Sequence, residues 1–129
     1  WFFNGSEWKK CDTPTNVIIH KIKFINSDLV FACGQQGLLL RGARDLWEVI
    51  DHNRTNQNLW SMEWYKDNLY VVEDTKIFCL DKEDLVDVNV GIENCTFRNL
   101  AAGFDALWSF GRKHILVFNG NSWEDVTKY

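Results

Sequence analysis

The sequence is poor in proline, methionine and net positive charge. It contains 1 Pro, 1 Met and 8 Gly among 129 residues, and 14 basic against 18 acidic residues give a net charge of −4. A chain of negative net charge is poorly suited to a polyanionic nucleic acid or an anionic membrane surface, so we expect neither as a partner. No apolar run approaches the roughly 18 residues of a membrane-spanning helix, and no stretch keeps a helical period beyond two turns.

The cysteines and histidines lack the spacing of a metal site. No CxxC pair occurs, and no histidine lies close to a cysteine. Cys33 and Cys79 fall within apolar strand patterns, LVFAC and KIFCL, which favours free thiols in a reducing cytoplasm over disulfides. The cysteines are Cys11, Cys33, Cys79 and Cys95, and the histidines are His20, His52 and His114. We therefore expect no metal and no cofactor.

Aromatic residues are abundant, and they repeat. The chain has 7 Trp, 9 Phe and 3 Tyr, and FFNGSEW near its start returns as VFNGNSW near its end. Trp8, Trp47, Leu85 and Trp123 follow one another at intervals of 38 or 39 residues, each at the start of a similar segment. Such a fixed period is the signature of a repeat architecture.

Each repeat predicts four short strands. Apolar runs such as LVFA, residues 29–32, and LYVV, residues 69–72, are separated by polar turns such as Lys66-Asp67-Asn68 and Gly111-Arg112-Lys113. Turn residues at these places favour antiparallel hairpins. The continuous apolar runs predict strands covered on both faces by neighbouring sheets.

The repeated turn carries a family resemblance. FNGSEW, residues 3–8, and FNGNSW, residues 118–123, look like the D-x-G-x-x-W turn between the third and fourth strands of a propeller blade, with Asn in place of Asp, and the Trp47 copy reads RGARDLW, residues 41–47. The chain resembles the bacterial-neuraminidase-repeat and related Trp-rich β-propellers, including photosystem-assembly-factor-like ones. This resemblance implies an all-β fold built of four-stranded antiparallel blades. It also assigns the repeated Trp to packing against a neighbouring blade.

The strand count predicts about three and a half blades. Residues 1–11 supply half a blade, and residues 14–50, 55–88 and 95–126 each supply a full one, within a single propeller portion spanning 1–129. Closed propellers typically carry about four to eight blades. We therefore expect an N-terminal half or a further polypeptide to complete the propeller, and this chain to be a fragment.

No pattern in the chain predicts catalysis. There is no G-x-S-x-G elbow, no pair of carboxylates placed for glycoside hydrolysis, and no set of arginines in a common strand register. We therefore expect a non-enzymatic scaffold.

Loops are then the expected functional elements. Polar loops of mixed charge suit a protein partner. The candidate partner-binding residues are Gln35, Gln36, His52, Arg54, Asn56, Glu73, Asp74, Arg112 and Lys113. By analogy at the level of the fold, the chain is an inhibitor or immunity-type protein that neutralises a cognate toxin. A glycan-binding or sialidase-like propeller and an assembly factor of a larger complex are the alternatives.

Overall fold

The chain folds into short antiparallel strands. The computed structural model describes residues 1–44 and 46–127. Asp45, which belongs to the Trp47 copy of the repeated turn, lies outside the described residues, as do Lys128 and Tyr129. In chain order the strands are β1 Phe2–Phe3, β2 Trp8–Lys9, β3 Ile19–Asn26, β4 Leu29–Gly34, β5 Leu39–Ala43, β6 Leu46–Val49, β7 Ser61–Tyr65, β8 Asn68–Val72, β9 Ile77–Asp81, β10 Asp84–Asp87, β11 Asn99–Gly103, β12 Ala106–Phe110, β13 Ile115–Phe118 and β14 Trp123–Asp125. A 3-10 turn, Gln35–Gly37, joins β4 to β5.

The strands form one two-stranded and three four-stranded sheets. We call β1–β2 the half-blade, and β3–β6, β7–β10 and β11–β14 the first, second and third blades; in each blade consecutive strands pair antiparallel. The innermost strands lie side by side, β3 beside β7 and β7 beside β11. The prediction of an all-β propeller with about three and a half blades is confirmed.

The repeated turn between third and fourth strands has the same geometry at both ends of the chain. Asn4 Oδ1 accepts hydrogen bonds from the backbone N–H of Ser6 and Glu7 at 2.9 and 3.0 Å. Asn119 Oδ1 does the same for the residues two and three positions further on, again at 2.9 and 3.0 Å. The following glycine has φ near +98° or +100°, which a side chain would strain. Asn therefore replaces Asp here without loss, because either side chain supplies the accepting oxygen.

The apolar cores lie between blades. One cluster joins the first and second blades: Phe31, Cys33, Leu39, Ile50, Leu59, Met62, Leu69, Val71, Phe78 and Leu85. Another joins the second and third blades: Tyr65, Tyr70, Val72, Ile77, Cys95, Phe97, Leu100, Leu107 and Leu116. The repeated fourth-strand position contributes as predicted at Leu85, which is buried, and at Trp123, which packs on the second cluster. Trp8 differs, because it is 65% exposed and its ring contacts, in a tilted arrangement, Phe3 of its own half-blade.

Polar contacts also link the blades. The Ser61 hydroxyl donates to Asn99 Oδ1 at 2.9 Å and accepts from the Leu100 N–H at 3.3 Å, both across the junction of the second and third blades. The Tyr65 hydroxyl donates to the Asp105 carbonyl at 2.7 Å across the same junction. Because these groups are wholly or partly buried, each pairing avoids the cost of an unsatisfied polar atom.

The four cysteines are free thiols, with Cys33 and Cys95 buried and Cys11 and Cys79 half-buried. Burial raises the pKa of Cys33 to about 12, so this thiol stays protonated at neutral pH. Across residues 1–44 and 46–127 we find no helix of the length and hydrophobicity needed to cross a membrane.

Candidate functional site

The antiparallel topology gathers six loop segments at one end of the blades. Connections between blades leave at the end of each fourth strand, and the turns between second and third strands return to that same end. We call this end the loop face. It carries the β4–β5, β8–β9 and β12–β13 turns together with residues 10–18, 51–60 and 88–98. All nine predicted partner-binding residues lie in these segments.

Four of the nine residues line one hollow. Gln35, Gln36, His52 and Asn56 surround a space of about 330 Å³ where the connection of residues 51–60 crosses the β4–β5 turn. His52 Nε2 lies 2.7 Å from the carbonyl oxygen of Gly37, which ties the connection to the turn. Gly37 has φ +72°, and a Cβ there would lie 2.1 Å from the Thr55 carbonyl oxygen, so this close approach requires glycine.

Glu73 is a buried hydrogen-bond acceptor beneath the loop face. Its residue is only 5% exposed, and its carboxylate accepts hydrogen bonds from Thr55 Oγ1 at 2.7 Å and Thr75 Oγ1 at 3.3 Å. The connection of residues 51–60 is thereby held to the β8–β9 turn. This carboxylate is an internal acceptor, and its burial argues against direct contact with a partner.

Arg54 reaches away from the hollow toward the outer strand of the second blade. Its guanidinium donates to both oxygens of Asp84, at 2.9 Å to Oδ2 and 3.1 Å to Oδ1 from Nη2. The hydrogen-bonded Arg54 guanidinium holds the pKa of the Asp84 carboxyl below its usual range. Arg54 is therefore already paired, which lowers its readiness to bind a partner.

The remaining predicted residues belong to the second and third blades. Asp74 and Arg112 line a hollow of about 210 Å³ together with Arg98. The Arg112 backbone N–H donates to Thr96 Oγ1 at 2.9 Å, which fixes the turn, while its side chain is exposed. Lys113 is the next residue of that turn and is also exposed.

Arg98 also belongs to a stack of three side chains that we call the stacked triad: His20, Trp60 and Arg98. The His20 and Trp60 rings are stacked at 4.6 Å between centroids with 30° between planes. The Arg98 guanidinium carbon lies 4.1 Å from the Trp60 ring centroid, a cation–π contact. Trp60 Nε1 donates to Asp74 Oδ1 at 2.8 Å, and Arg98 Nη2 lies 3.8 Å from the same oxygen.

The stacked triad occupies equivalent places in three blades. His20 lies in the second position of β3, and Trp60 and Arg98 each immediately precede an innermost strand, β7 and β11. Sequence reasoning missed Trp60, set His20 aside because the histidines lack metal-ligand spacing, and set Arg98 aside because the arginines share no strand register. The intervals of 40 and 38 residues between the three positions match the repeat and were the available signal.

The arrangement favours binding over chemistry. Arg98 and Asp74 side chains are 46% and 61% exposed, so an aromatic ring, a cation and an anion meet at an accessible surface. Aromatic and arginine side chains are enriched at the energetic centres of protein interfaces. In the described part of the chain, no group of three or more His, Cys, Asp and Glu side chains is placed to hold a metal ion.

Comparison with known proteins gives a curated relative and structural likenesses. The chain is 36% identical over 129 residues to the immune protein Tsi7 of Pseudomonas aeruginosa, which covers 98% of this chain and 42% of that protein. It is similar in structure to YCF48 bound to D1 peptide, with a TM-score of 0.76, 14% identity, and coverage of 96% of this chain and 44% of that one. The chain thus spans less than half the length of each. No protein-family model matches the sequence.

Proposed function

We propose that this chain is part of a non-catalytic immunity-type β-propeller that binds and neutralises a cognate toxin. The observation that carries the proposal is the similarity to an immune protein, 36% identical across 98% of this chain. The loop face supports it, because a preformed stack of aromatic and charged side chains suits a protein partner better than a reaction.

The proposed contact surface is centred on the stacked triad. Trp60 supplies a rigid ring, and Arg98 and Asp74 supply exposed charges beside it. The predicted residues Gln35, Gln36, His52, Asn56, Arg112 and Lys113 extend the surface on either side, with Arg54 at its outer edge. Glu73 acts as the buried support rather than as a contact.

Growth rescue tests the function. Proteins encoded beside the gene for this chain are expressed one at a time in a heterologous bacterium, with and without the chain. We expect one of them to arrest growth and the chain to restore it through direct binding. Trp60→Ala and Arg98→Ala variants should lose rescue, whereas Lys82→Ala, in the β9–β10 turn at the opposite end of the blade, should keep it. Rescue that survives both loop-face substitutions would contradict the proposed surface.

Two alternative proposals predict other results. A glycan-binding or sialidase-like propeller would change its Trp fluorescence with a panel of sugars, because a tryptophan would stack on a sugar ring. An assembly factor would bind a subunit of a larger complex and would not protect growth. Flat fluorescence with growth rescue would exclude both.

We further propose that residues 1–129 form one portion of a propeller that an N-terminal half or a further polypeptide completes, and that it works in the cytoplasm. The half-blade of two strands supports the first statement, and four free thiols support the second. Native and denaturing mass spectrometry test completion: a native mass well above 15.2 kDa that dissociates into this chain and another polypeptide is expected. A monomer of that mass would contradict completion by a separate chain.

A further inference from the structure

A wide apolar groove separates the half-blade from the first blade. It has a volume of about 370 Å³, and Trp1, Phe2, Ile22, Phe24 and Trp47 are among its lining residues. Three of these side chains are strongly exposed, Trp1 at 78%, Ile22 at 59% and Phe24 at 65%. Large contiguous apolar patches of this kind mark places where something else packs.

Equivalent positions show that this exposure is local to the groove. Ile22, Met62 and Leu100 hold the same place on the innermost strands of the three blades. Met62 and Leu100 are 0% and 3% exposed because each packs on the preceding blade.

The third strand repeats the same contrast. Trp1 stands in the register of Leu40, Phe78 and Leu116, which are 0%, 1% and 1% exposed. Leu40 lines the groove and is already buried, so the side chains that lack a cover are Trp1, Ile22 and Phe24.

The covering strands can be specified from the complete blades. Each complete blade has two strands inside its third strand, whereas β1 pairs only with β2 among the described residues. Met62 shares its core cluster with Phe31 and Cys33 of β4, the second strand of the preceding blade. Leu100 likewise shares a cluster with Tyr70 and Val72 of β8. The occupant's second strand should therefore carry an aromatic residue and, two positions later, an apolar one.

We propose that a two-stranded antiparallel hairpin, continuous with the polypeptide ahead of Trp1, fills this groove. Its outer strand adds to the free edge of β1, and its apolar face covers Ile22 and Phe24. The inference rests on the proposed completion of the propeller, and it specifies where the completing strands pack and which residue types they carry. Two observations place the hairpin in the polypeptide ahead of Trp1. The first two strands of a blade directly precede its third strand in the chain, and this chain spans 42% of the curated relative.

A chain extended by its own hairpin tests the proposal. A copy of residues 60–77, which holds β7, β8 and their turns, is placed ahead of Trp1, so that Trp1 follows it as Phe78 follows Ile77 in the second blade. A matched extension carries Tyr70→Ser and Val72→Asp in the added copy only. Ile22→Cys reports on the groove through its rate of maleimide labelling, and Leu46→Cys, at a residue 78% exposed and outside the groove, is the control site.

We expect the apolar extension to slow labelling of Cys at position 22 by about tenfold or more, because burial protects a thiol until the structure opens. It should also raise the Tm, because it buries apolar surface of the groove. The matched extension and the control site should label as in the 129-residue chain. Equal labelling in all three proteins would overturn the proposal. Slow labelling of Cys at position 22 in the unextended chain, together with a dimeric native mass, would also overturn the proposal and assign the groove to a second copy. Slow labelling only after a separate polypeptide is added would overturn it too, and would assign the groove to that polypeptide. Growth rescue by loop-face residues is a separate readout, so failure of either proposal is recognised independently.

Discussion

The Arg98 guanidinium lies 4.1 Å from the centroid of the Trp60 ring. Asp74 completes the arrangement, since its Oδ1 accepts the Trp60 indole N–H at 2.8 Å and lies 3.8 Å from Arg98 Nη2. A cation–π contact at an exposed site contributes only about 0.5–1 kcal/mol to folding. The value of the arrangement is therefore its preorganisation, because three side chains are held in a defined geometry before a partner arrives.

Replacing Arg98 by Ala should weaken partner binding while leaving the fold intact. We expect at least about a tenfold loss of affinity, equal to about 1.4 kcal/mol, because a central arginine at an interface is worth that much or more. Calorimetric titration with the protein identified by growth rescue measures the effect, and a thermal melt checks the fold. Lys82→Ala is the matched control, since it also removes one exposed cation. Equal affinities for the two variants would move the contact surface away from the stacked triad.

Replacing Glu73 by Ala should reduce stability rather than remove a contact. The buried carboxylate accepts from Thr55 at 2.7 Å, and its loss leaves that hydroxyl without its acceptor. We expect a loss of about 1–3 kcal/mol in the free energy of unfolding, measured with urea. Because one partner is shared, Glu73→Ala and Thr55→Val should be non-additive in a double-mutant cycle. Strict additivity would show that this hydrogen bond does not stabilise the fold.

The fold could be predicted from the sequence because its turns and strands are specified by residues close together in the chain. The Asn4 and Asn119 turns are fixed by a side-chain oxygen that caps nearby N–H groups and by a glycine with positive φ, so each turn is specified within six residues. The apolar runs were equally informative. Val71 and Val72 lie on opposite faces of β8, and both are 0% exposed because the neighbouring blades cover both faces.

The candidate site was harder to predict because its contacts join distant blades. The stacked triad uses three residue types at intervals of about one repeat, and no local period links a histidine, a tryptophan and an arginine. Glu73 was expected at the surface because it follows a strand within an acidic turn. It is buried because the connection carrying Thr55 folds over that turn, a contact that only the assembled blades create.

Acid should weaken the fold in part through Asp84. Its pKa is lowered by the hydrogen-bonded Arg54. A carboxyl with a lowered pKa in the folded state contributes stability above its unfolded pKa of about 4, and this contribution is lost as the pH falls through the folded value. Asp84→Asn should therefore lower the Tm at pH 7 and flatten the fall of Tm below pH of about 4, as measured by thermal melts across pH. Asp12→Asn, at an exposed residue without an ion pair among the described residues, is the control and should keep the wild-type slope.

Alkali should weaken the fold through Cys33. This side chain is 0% exposed, and burial raises the pKa of its thiol to about 12. Because the folded state holds the proton more tightly than the unfolded chain does, the contribution to stability is complete below the unfolded pKa of about 9 and is lost as the pH rises toward about 12. At pH 8 the thiol should also resist modification until the chain unfolds, so Cys11, which is half-buried, should label at least about a hundredfold faster. Mass spectrometry of maleimide adducts resolves the two sites, and urea should bring their rates together. Comparable rates in native buffer would show that the junction of the first two blades opens readily.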